Sequence, residues 1–135
     1  MSDGGKEALI AYRVARAEES LDEARLLLDA GHLNTAVNRL YYACFYAISA
    51  LLMSGGHGSS RHSGVRSLFD AHWVKTGKIP VAQGRFYRGL FNNRQKSDYA
   101  DLAEFAPTDV RAWLTQAEEF VTLVTHLARP GPPPT

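Results

Sequence analysis

Three segments of the chain repeat apolar residues at alternating steps of four and three positions. They cover residues 10–28, 33–51 and 110–128. This spacing places one apolar stripe along a helix, and helices with such stripes pack side by side at a shallow angle. No segment alternates apolar and polar residues as a half-buried strand would. The sequence therefore predicts an all-α fold in which these helices pack as a bundle.

The ends of these helices carry recognisable signals. Gly31 is placed to end the first helix, and His32 or Asn34 can begin the second. Because so few residues separate them, the two helices should form an antiparallel hairpin. Before the last helix we expect Thr108 as the N-cap, with Asp109 in the first turn, where an acidic side chain is favourable.

The middle of the chain is less regular. Residues 54–64 are rich in glycine and serine and predict a flexible connector. A short helix should follow and end near Thr76 and Gly77, with Pro80 marking the start of the next one. The last residues, 130–135, are rich in proline and should be disordered. We therefore expect one helical domain over residues 1–129 and a disordered tail.

Length and composition limit the class of protein. With 135 residues the chain is long enough to bury a core within one domain. The single cysteine, Cys44, excludes an internal disulfide framework and lies on the buried stripe of the second helix. No uninterrupted apolar run approaches the ~18–20 residues of a membrane span, and the first residues lack a signal-peptide layout. These features favour a cytoplasmic protein with no membrane partner.

The net charge of +1 conceals an uneven distribution. Residues 61–96 contain eight basic residues and one acid, a net charge of +7, whereas the rest carries seven basic and thirteen acidic residues, a net charge of −6. Such a basic block attracts phosphates or an acidic partner. The alternative is that acids from other helices, or from a second subunit, neutralise it in the folded protein.

The stretch NNRQKSDYAD, residues 92–101, contains the leading candidate for a site. Tyr87, Phe91, Arg94 and Asp98 share one helical stripe, so the charged pair points where apolar groups point. Arginine grips phosphate through two parallel hydrogen bonds and stabilises negative charge that develops on it. The simpler interpretation is an ion pair between residues four positions apart, which needs no function.

The histidines offer acid–base chemistry near neutral pH. His57, His62 and His72 lie in or near the basic block, and His62 is the best candidate among them. None of the five has a second ligand at the i, i+4 spacing that suggests a metal site. We expect neither a metal nor a cofactor.

Four stretches in order resemble the HEPN domain family of prokaryotic proteins. They are the segment 17–39, NRLYYACF (38–45), RHSGV leading to Phe69 (61–69), and NRQKSDY (93–99). The resemblance spans residues 8–128 and implies an up-and-down antiparallel bundle of four to five helices, of a kind that commonly forms homodimers. It also implies a minimal nucleotidyltransferase as the partner in a toxin–antitoxin pair, and metal-independent cleavage of RNA in a cleft between subunits.

The family's catalytic motif is an arginine followed within a few residues by a histidine. The arginine maps to Arg94, but Tyr99 stands at the histidine position and the next histidine is His126. Tyrosine is a poor base at neutral pH because its pKa lies near 10, although it can donate a hydrogen bond. The resemblance thus implies three catalytic candidates, Arg94, Asp98 and Tyr99. Candidates for binding RNA or a nucleotide are Asn38, Arg61, His62, Arg88, Arg94 and Lys96.

Three functions remain open on the sequence alone. The chain is a toxin-type ribonuclease whose activity is weak or degenerate, a non-catalytic dimeric module that binds a nucleotide or a partner, or a bundle in which Arg94 and Asp98 only form an ion pair. In pairs of this family a partner nucleotidyltransferase can add AMP to a tyrosine near the motif, and the resemblance makes Tyr99 a candidate for that acceptor.

Overall fold

A computed structural model describes residues 3–98 and 104–129 of the chain. These residues form five α-helices and a π-helical turn that directly follows the third helix. The elements are α1 (Asp3–Asp29), α2 (Leu33–Ser54), α3 (His62–Phe69), the π-helical turn Asp70–Val74, α4 (Val81–Ser97) and α5 (Pro107–Ala128). No strand occurs within these two ranges, and the predicted all-α bundle is confirmed. The predicted disordered tail lies outside the described residues.

The apolar stripes predicted from the spacing form the core. Every stripe residue of α1 and α5 is buried, and so is every stripe residue of α2 except the half-buried Leu33. Burying aliphatic side chains in this way is the main favourable contribution to folding. The buried stripe residues are Ile10, Val14, Ala17, Leu21, Ala24 and Leu28; Val37, Leu40, Cys44, Ala47 and Leu51; and Val110, Leu114, Ala117, Val121, Val124 and Ala128.

Helix α2 is the centre of the bundle, since it contacts α1, α3, α4 and α5. Its burial extends beyond the stripe to Tyr41, Ile48 and Leu52, each at most 1% exposed. By length and composition α2 could cross a membrane, although polar residues interrupt its apolar sequence. However, 67% of its most apolar stretch is buried by the rest of the protein. The contacts with four neighbouring helices account for that apolar composition.

The connection between α1 and α2 is a tight glycine turn. Gly31 has a φ of 83°, a left-handed conformation that glycine adopts without steric cost. The His32 N–H donates to the Leu27 carbonyl at 2.8 Å, and the Gly31 N–H donates to the Leu28 carbonyl at 3.0 Å. These two bonds close the end of α1 and turn the chain back. His32 then occupies the N-cap position of α2, without a side-chain capping bond.

The prediction for the start of the last helix was wrong. Ala106 occupies the N-cap position of α5, and Pro107 is the first helical residue, so Thr108 lies inside the first turn. Proline suits that first position because its missing N–H would have no partner inside the helix. Asp109 lies in the first turn as predicted.

The middle of the chain is more helical than its composition indicated. α2 continues to Ser54 and α3 begins at His62, so the connector predicted over 54–64 is shortened to residues 55–61. The π-helical turn carries the chain on from α3, and Gly77, with a φ of 78°, lies close to the predicted helix end. Pro80 immediately precedes α4, as predicted.

Candidate functional site

Helix α4 directs Arg94 toward α2 rather than toward solvent. Tyr87 and Phe91 lie on the same stripe and are buried, at 0% and 9% exposure. One turn beyond Phe91, the Arg94 side chain keeps 22% of its surface exposed. The predicted inward direction of this arginine is therefore confirmed. A guanidinium at the edge of a core needs polar or aromatic neighbours that compensate for lost hydration.

Arg94 has three kinds of neighbour. Its Nη2 donates a hydrogen bond to the Tyr42 hydroxyl at 3.1 Å. Its Nε lies 3.5 Å from Asp98 Oδ2, so the predicted ion pair is present. The guanidinium carbon lies 5.4 Å from the ring centroid of Tyr41 and 5.6 Å from that of Tyr42, close enough for cation–π attraction. Two tyrosines of α2 and the acid that directly follows α4 thus hold the guanidinium in place.

His62 joins this group from α3. Its Nδ1 lies 2.6 Å from the Tyr41 hydroxyl, within hydrogen-bond distance. Its ring stacks on Phe45 with centroids 4.4 Å apart, and its centroid lies 5.7 Å from that of Tyr41 and 5.9 Å from that of Tyr42. His62 therefore shares both tyrosines with Arg94. We call Arg94, Asp98, Tyr41, Tyr42 and His62 the Arg94 cluster.

The electrostatics of the Arg94 cluster keep His62 and Tyr41 neutral. Burial lowers the pKa of His62, and the positive charge of Arg94 lowers it further. Burial raises the pKa of Tyr41, against the opposing effects of its hydrogen bond with Tyr87 and of the Arg94 charge. At neutral pH the imidazole and the phenol are both uncharged, so the cations are Arg94 and its basic neighbours.

Two more arginines approach the same aromatic surface. The Arg39 guanidinium lies 5.2 Å from the Tyr42 ring, and Asn38 Oδ1 accepts hydrogen bonds from its Nε at 3.2 Å and its Nη2 at 2.7 Å. The Arg66 guanidinium lies 4.7 Å from the Phe91 ring. Arginine beside stacked aromatic rings is a common arrangement where single-stranded nucleic acid binds.

The other residues predicted to bind RNA or a nucleotide are dispersed. Arg61 is exposed at the N-cap position of α3, next to His62. In the described part of the chain Lys96 is exposed, and Arg88 lies 3.8 Å from Asp70 rather than joining the Arg94 cluster. The structure therefore brings together three of the predicted residues, Arg94, Asp98 and His62. Asn38 is connected to them because it accepts hydrogen bonds from Arg39, which lies against Tyr42. Tyr99, the third catalytic candidate, lies outside the described residues.

Five acids of α1 pair with arginines that do not belong to the basic block. Glu19 pairs with Arg16 at 2.7 Å and Glu23 with Arg39 at 3.9 Å. The other three pairs join Asp22 to Arg25, Glu18 to Arg129 and Asp29 to Arg111. The block pairs instead with acids close in sequence, Asp70 and Asp98. These ion pairs of α1 therefore do not neutralise the basic block.

Sequence reasoning did not place the tyrosines in the site. The aromatic residues of α2 stand out in the sequence, but no pattern links Tyr42 to Arg94, fifty-two positions away. Tyr41 is buried, whereas Tyr42, Phe45 and Tyr46 are half-buried. The sequence did offer one indication that α3 contributes to the site. His62 and Arg66 are four positions apart, which puts both side chains on one face of that helix.

Comparison with known proteins agrees with the family resemblance of the sequence. Residues 10–127 match the model of the HEPN domain. A UPF0332 protein of Thermotoga maritima is 45% identical over 122 residues, which cover 90% of this chain and 92% of that protein. Two proteins of Methanocaldococcus jannaschii bear the names "Putative toxin MJ0605" and "Putative toxin MJ0142". The first is 36% identical over 107 residues, 78% of each chain. The second is 29% identical over 108 residues, 80% of this chain and 74% of that one.

Proposed function

Because the chain belongs to the HEPN domain family, we propose that it is the toxin-type component of a toxin–antitoxin pair and binds RNA at the Arg94 cluster. The names of the two Methanocaldococcus jannaschii relatives support the toxin part of this proposal. The uneven charge supports the choice of RNA, because a net charge of +7 over residues 61–96 attracts a polyanion.

One observation carries the proposal, namely the way in which Arg94 is held. Tyr42 accepts one of its hydrogen bonds and Asp98 lies beside its Nε. These partners fix the plane of the guanidinium, and a fixed plane favours recognition of a phosphate through paired hydrogen bonds. The Tyr41 and Tyr42 rings next to it offer surfaces on which a base can stack.

Cleavage of the bound RNA without a metal would need groups that exchange protons with the 2′-hydroxyl and the leaving oxygen. His62 and Asp98 are the two cluster members suited to that task, and Tyr99 follows Asp98 directly in the chain. We therefore include a weak metal-independent ribonuclease activity in the proposal.

The second candidate function is a non-catalytic dimeric module that binds a nucleotide or a partner protein. It is favoured by the absence of a histidine between Arg94 and His126 in the sequence. Such a module would use the same arginine for binding without using it for chemistry. Dimerisation and a nucleotidyltransferase partner belong to both candidates as proposals, and so does addition of AMP to Tyr99.

The decisive experiment compares wild type with Arg94→Ala, using Arg111→Ala as the matched control. Arg111 is an exposed arginine on α5 whose nearest acid is Asp29 at 3.6 Å. Binding is measured with a short single-stranded RNA that carries 2′-O-methyl groups and so cannot be cleaved. We expect Arg94→Ala to weaken binding about ten- to a hundredfold, as loss of a charged hydrogen-bonding group does, and Arg111→Ala to bind like wild type.

Cleavage is measured on the unmodified RNA in EDTA with the same three proteins. Activity that disappears only in Arg94→Ala identifies a ribonuclease. Binding that depends on Arg94 without any cleavage selects the non-catalytic module. If Arg94→Ala binds as tightly as wild type while remaining folded, RNA binding at the Arg94 cluster is refuted.

A further inference from the structure

His62 is held on three sides by aromatic side chains of α2. Phe45 stacks on its ring with a centroid separation of 4.4 Å, Tyr42 meets it edge to face, and the Tyr41 hydroxyl lies 2.6 Å from its Nδ1. The residue is half-buried at the start of α3. An imidazole stacked and hydrogen-bonded in this way has a fixed ring plane and a fixed role for one of its two nitrogens.

A hydrogen-bond chain favours one of the two neutral forms of the imidazole. The Tyr87 hydroxyl is buried and donates to the Tyr41 oxygen at 3.3 Å. When Tyr41 in turn directs its own hydrogen to Nδ1 of His62, 2.6 Å away, Nδ1 accepts and the hydrogen of the neutral ring is on Nε2. A protonated ring donates from Nδ1 to Tyr41 instead, and the Tyr41 hydrogen then turns to the Tyr87 oxygen. The chain of Tyr87 and Tyr41 therefore favours the Nε2–H form of the neutral His62 and also accommodates its protonated form.

The groups that face His62 make its surroundings positive. From α2 they are the side chains of Tyr41 and Tyr42, and from α4 the Arg94 guanidinium, with Asp98 paired to it. On its own helix Arg66 lies one turn away. Burial and the Arg94 charge both lower the pKa of His62. At neutral pH the imidazole of the free protein is therefore uncharged.

We propose that His62 is a phosphate-binding residue of this site, whose Nε2–H donates to the same phosphodiester group that Arg94 binds. In the described part of the chain no side chain bonds to Nε2, and Arg94 and His62 share the rings of Tyr41 and Tyr42 at 5.4 to 5.9 Å. This inference rests on the proposed RNA-binding function. It adds a second donor, supplied by α3, to the arginine of α4.

A consequence is that RNA binding takes up a proton. The phosphate charge offsets the repulsion by Arg94, so the pKa of His62 rises when RNA binds. Between the lower pKa of the free protein and the higher pKa of the complex, the complex holds more protons than the separated partners. By linkage, RNA affinity then increases as the pH falls through that window.

The test uses two substitutions of His62 that separate its hydrogen bond from its titration. His62→Gln keeps an N–H donor near the position of Nε2 but cannot be protonated. His62→Ala removes the donor altogether. The matched control is His126→Gln, which changes an exposed histidine on α5. Affinity for the 2′-O-methyl RNA is measured at constant ionic strength from about pH 8 to about pH 6, where histidines titrate.

We expect wild type and His126→Gln to bind more tightly as the pH falls. His62→Gln should stay within about threefold of wild type at the alkaline end and lose the pH dependence, whereas His62→Ala should bind about tenfold more weakly throughout. A purely structural role of His62 would not predict a pH-independent glutamine variant.

The outcomes distinguish this inference from the proposed function. If Arg94→Ala weakens binding but His62→Gln retains the full pH dependence, the inference about His62 is wrong and RNA binding at Arg94 stands. If neither Arg94→Ala nor His62→Ala weakens binding, the proposed function itself fails. Far-UV circular dichroism shows whether each variant is folded, and the glutamine variant decides the matter if the alanine variant is not.

Discussion

Helix α2 has two sides that differ in chemistry. One side contributes Val37, Leu40, Cys44 and Leu51 to the core, all small or aliphatic and at most 1% exposed. The other side presents aromatic residues, which meet Arg94 of α4, Arg39 of α2 itself and His62 of α3. These aromatic residues are Tyr41, Tyr42, Phe45 and Tyr46. We call these the aliphatic side and the aromatic side of α2.

The difference shows how one helix combines stability with recognition. Aliphatic side chains have no polar atoms to satisfy, so their contribution grows with the area they remove from water. Aromatic side chains also bury area, but their faces attract cations and their hydroxyls need partners. The aliphatic side should therefore determine how stable the protein is. The aromatic side should determine how its charged groups are oriented.

The largest effect should come from the aliphatic side. Leu51→Ala removes a side chain that is 1% exposed and should lower the free energy of unfolding by about 2–5 kcal/mol, because it leaves a cavity. RNA affinity of the folded variant should not change. Urea denaturation provides the measurement. Leu26→Ala is the control, since Leu26 is 71% exposed, and the comparison fails if both variants lose equal stability.

An intermediate effect should come from Tyr87→Phe, which removes the buried hydroxyl that donates to Tyr41. We expect a loss of about 0.5–1.5 kcal/mol, the usual contribution of one hydrogen bond. Tyr12→Phe serves as the control because Tyr12 is 61% exposed. Equal losses in the two variants would show that the Tyr87 hydroxyl contributes no stability.

The same variant should alter the alkaline limit of stability. Burial raises the pKa of Tyr87 in the folded protein, so above the unfolded value of about 10 the native state binds more protons than the unfolded state. The stability contribution is complete below that pH and is lost as the pH rises. Tyr87→Phe should therefore lose less stability than wild type in alkaline urea titrations. Parallel pH profiles would contradict this account.

The smallest effect should come from Tyr42→Phe on the aromatic side. This change keeps the ring beneath Arg94 and Arg39 but removes the hydroxyl that accepts from Arg94. We expect RNA affinity to fall about threefold, in line with a single partly exposed hydrogen bond, with little change in urea stability. Fluorescence anisotropy with the 2′-O-methyl RNA measures it. A loss as large as that of Arg94→Ala would mean that the hydroxyl, and not the arginine, binds the RNA.

The sequence predicted the aliphatic side well and the aromatic side poorly, for a physical reason. A core stripe is a local pattern, because each helix must present its own apolar residues at a fixed spacing. The stripes of α1, α2 and α5 could therefore be predicted one helix at a time, and Gly31 indicated the turn between α1 and α2. The start of α5 was misplaced because Thr108 and Pro107 offered competing signals one residue apart.

The Arg94 cluster is not local. Arg94 and Asp98 could be paired from their spacing on α4 alone, and that prediction is confirmed. Tyr42 and His62 reach them only because α2 and α3 pack against each other and α2 packs against α4. No periodic pattern within one helix specifies which residues of three helices meet. The chemistry of histidine made His62 a candidate, but its partners depend on how the three helices pack.

The buried thiol makes the protein convenient for spectroscopy. Cys44 is the only cysteine of the chain. It is 0% exposed, and burial raises its pKa, so little reactive thiolate forms in the native state. A cysteine introduced at an exposed position such as Tyr12 or Leu26 would therefore be the one thiol open to a maleimide dye or a spin label. Distances between labels on separate copies of the chain would then map their arrangement without first replacing Cys44.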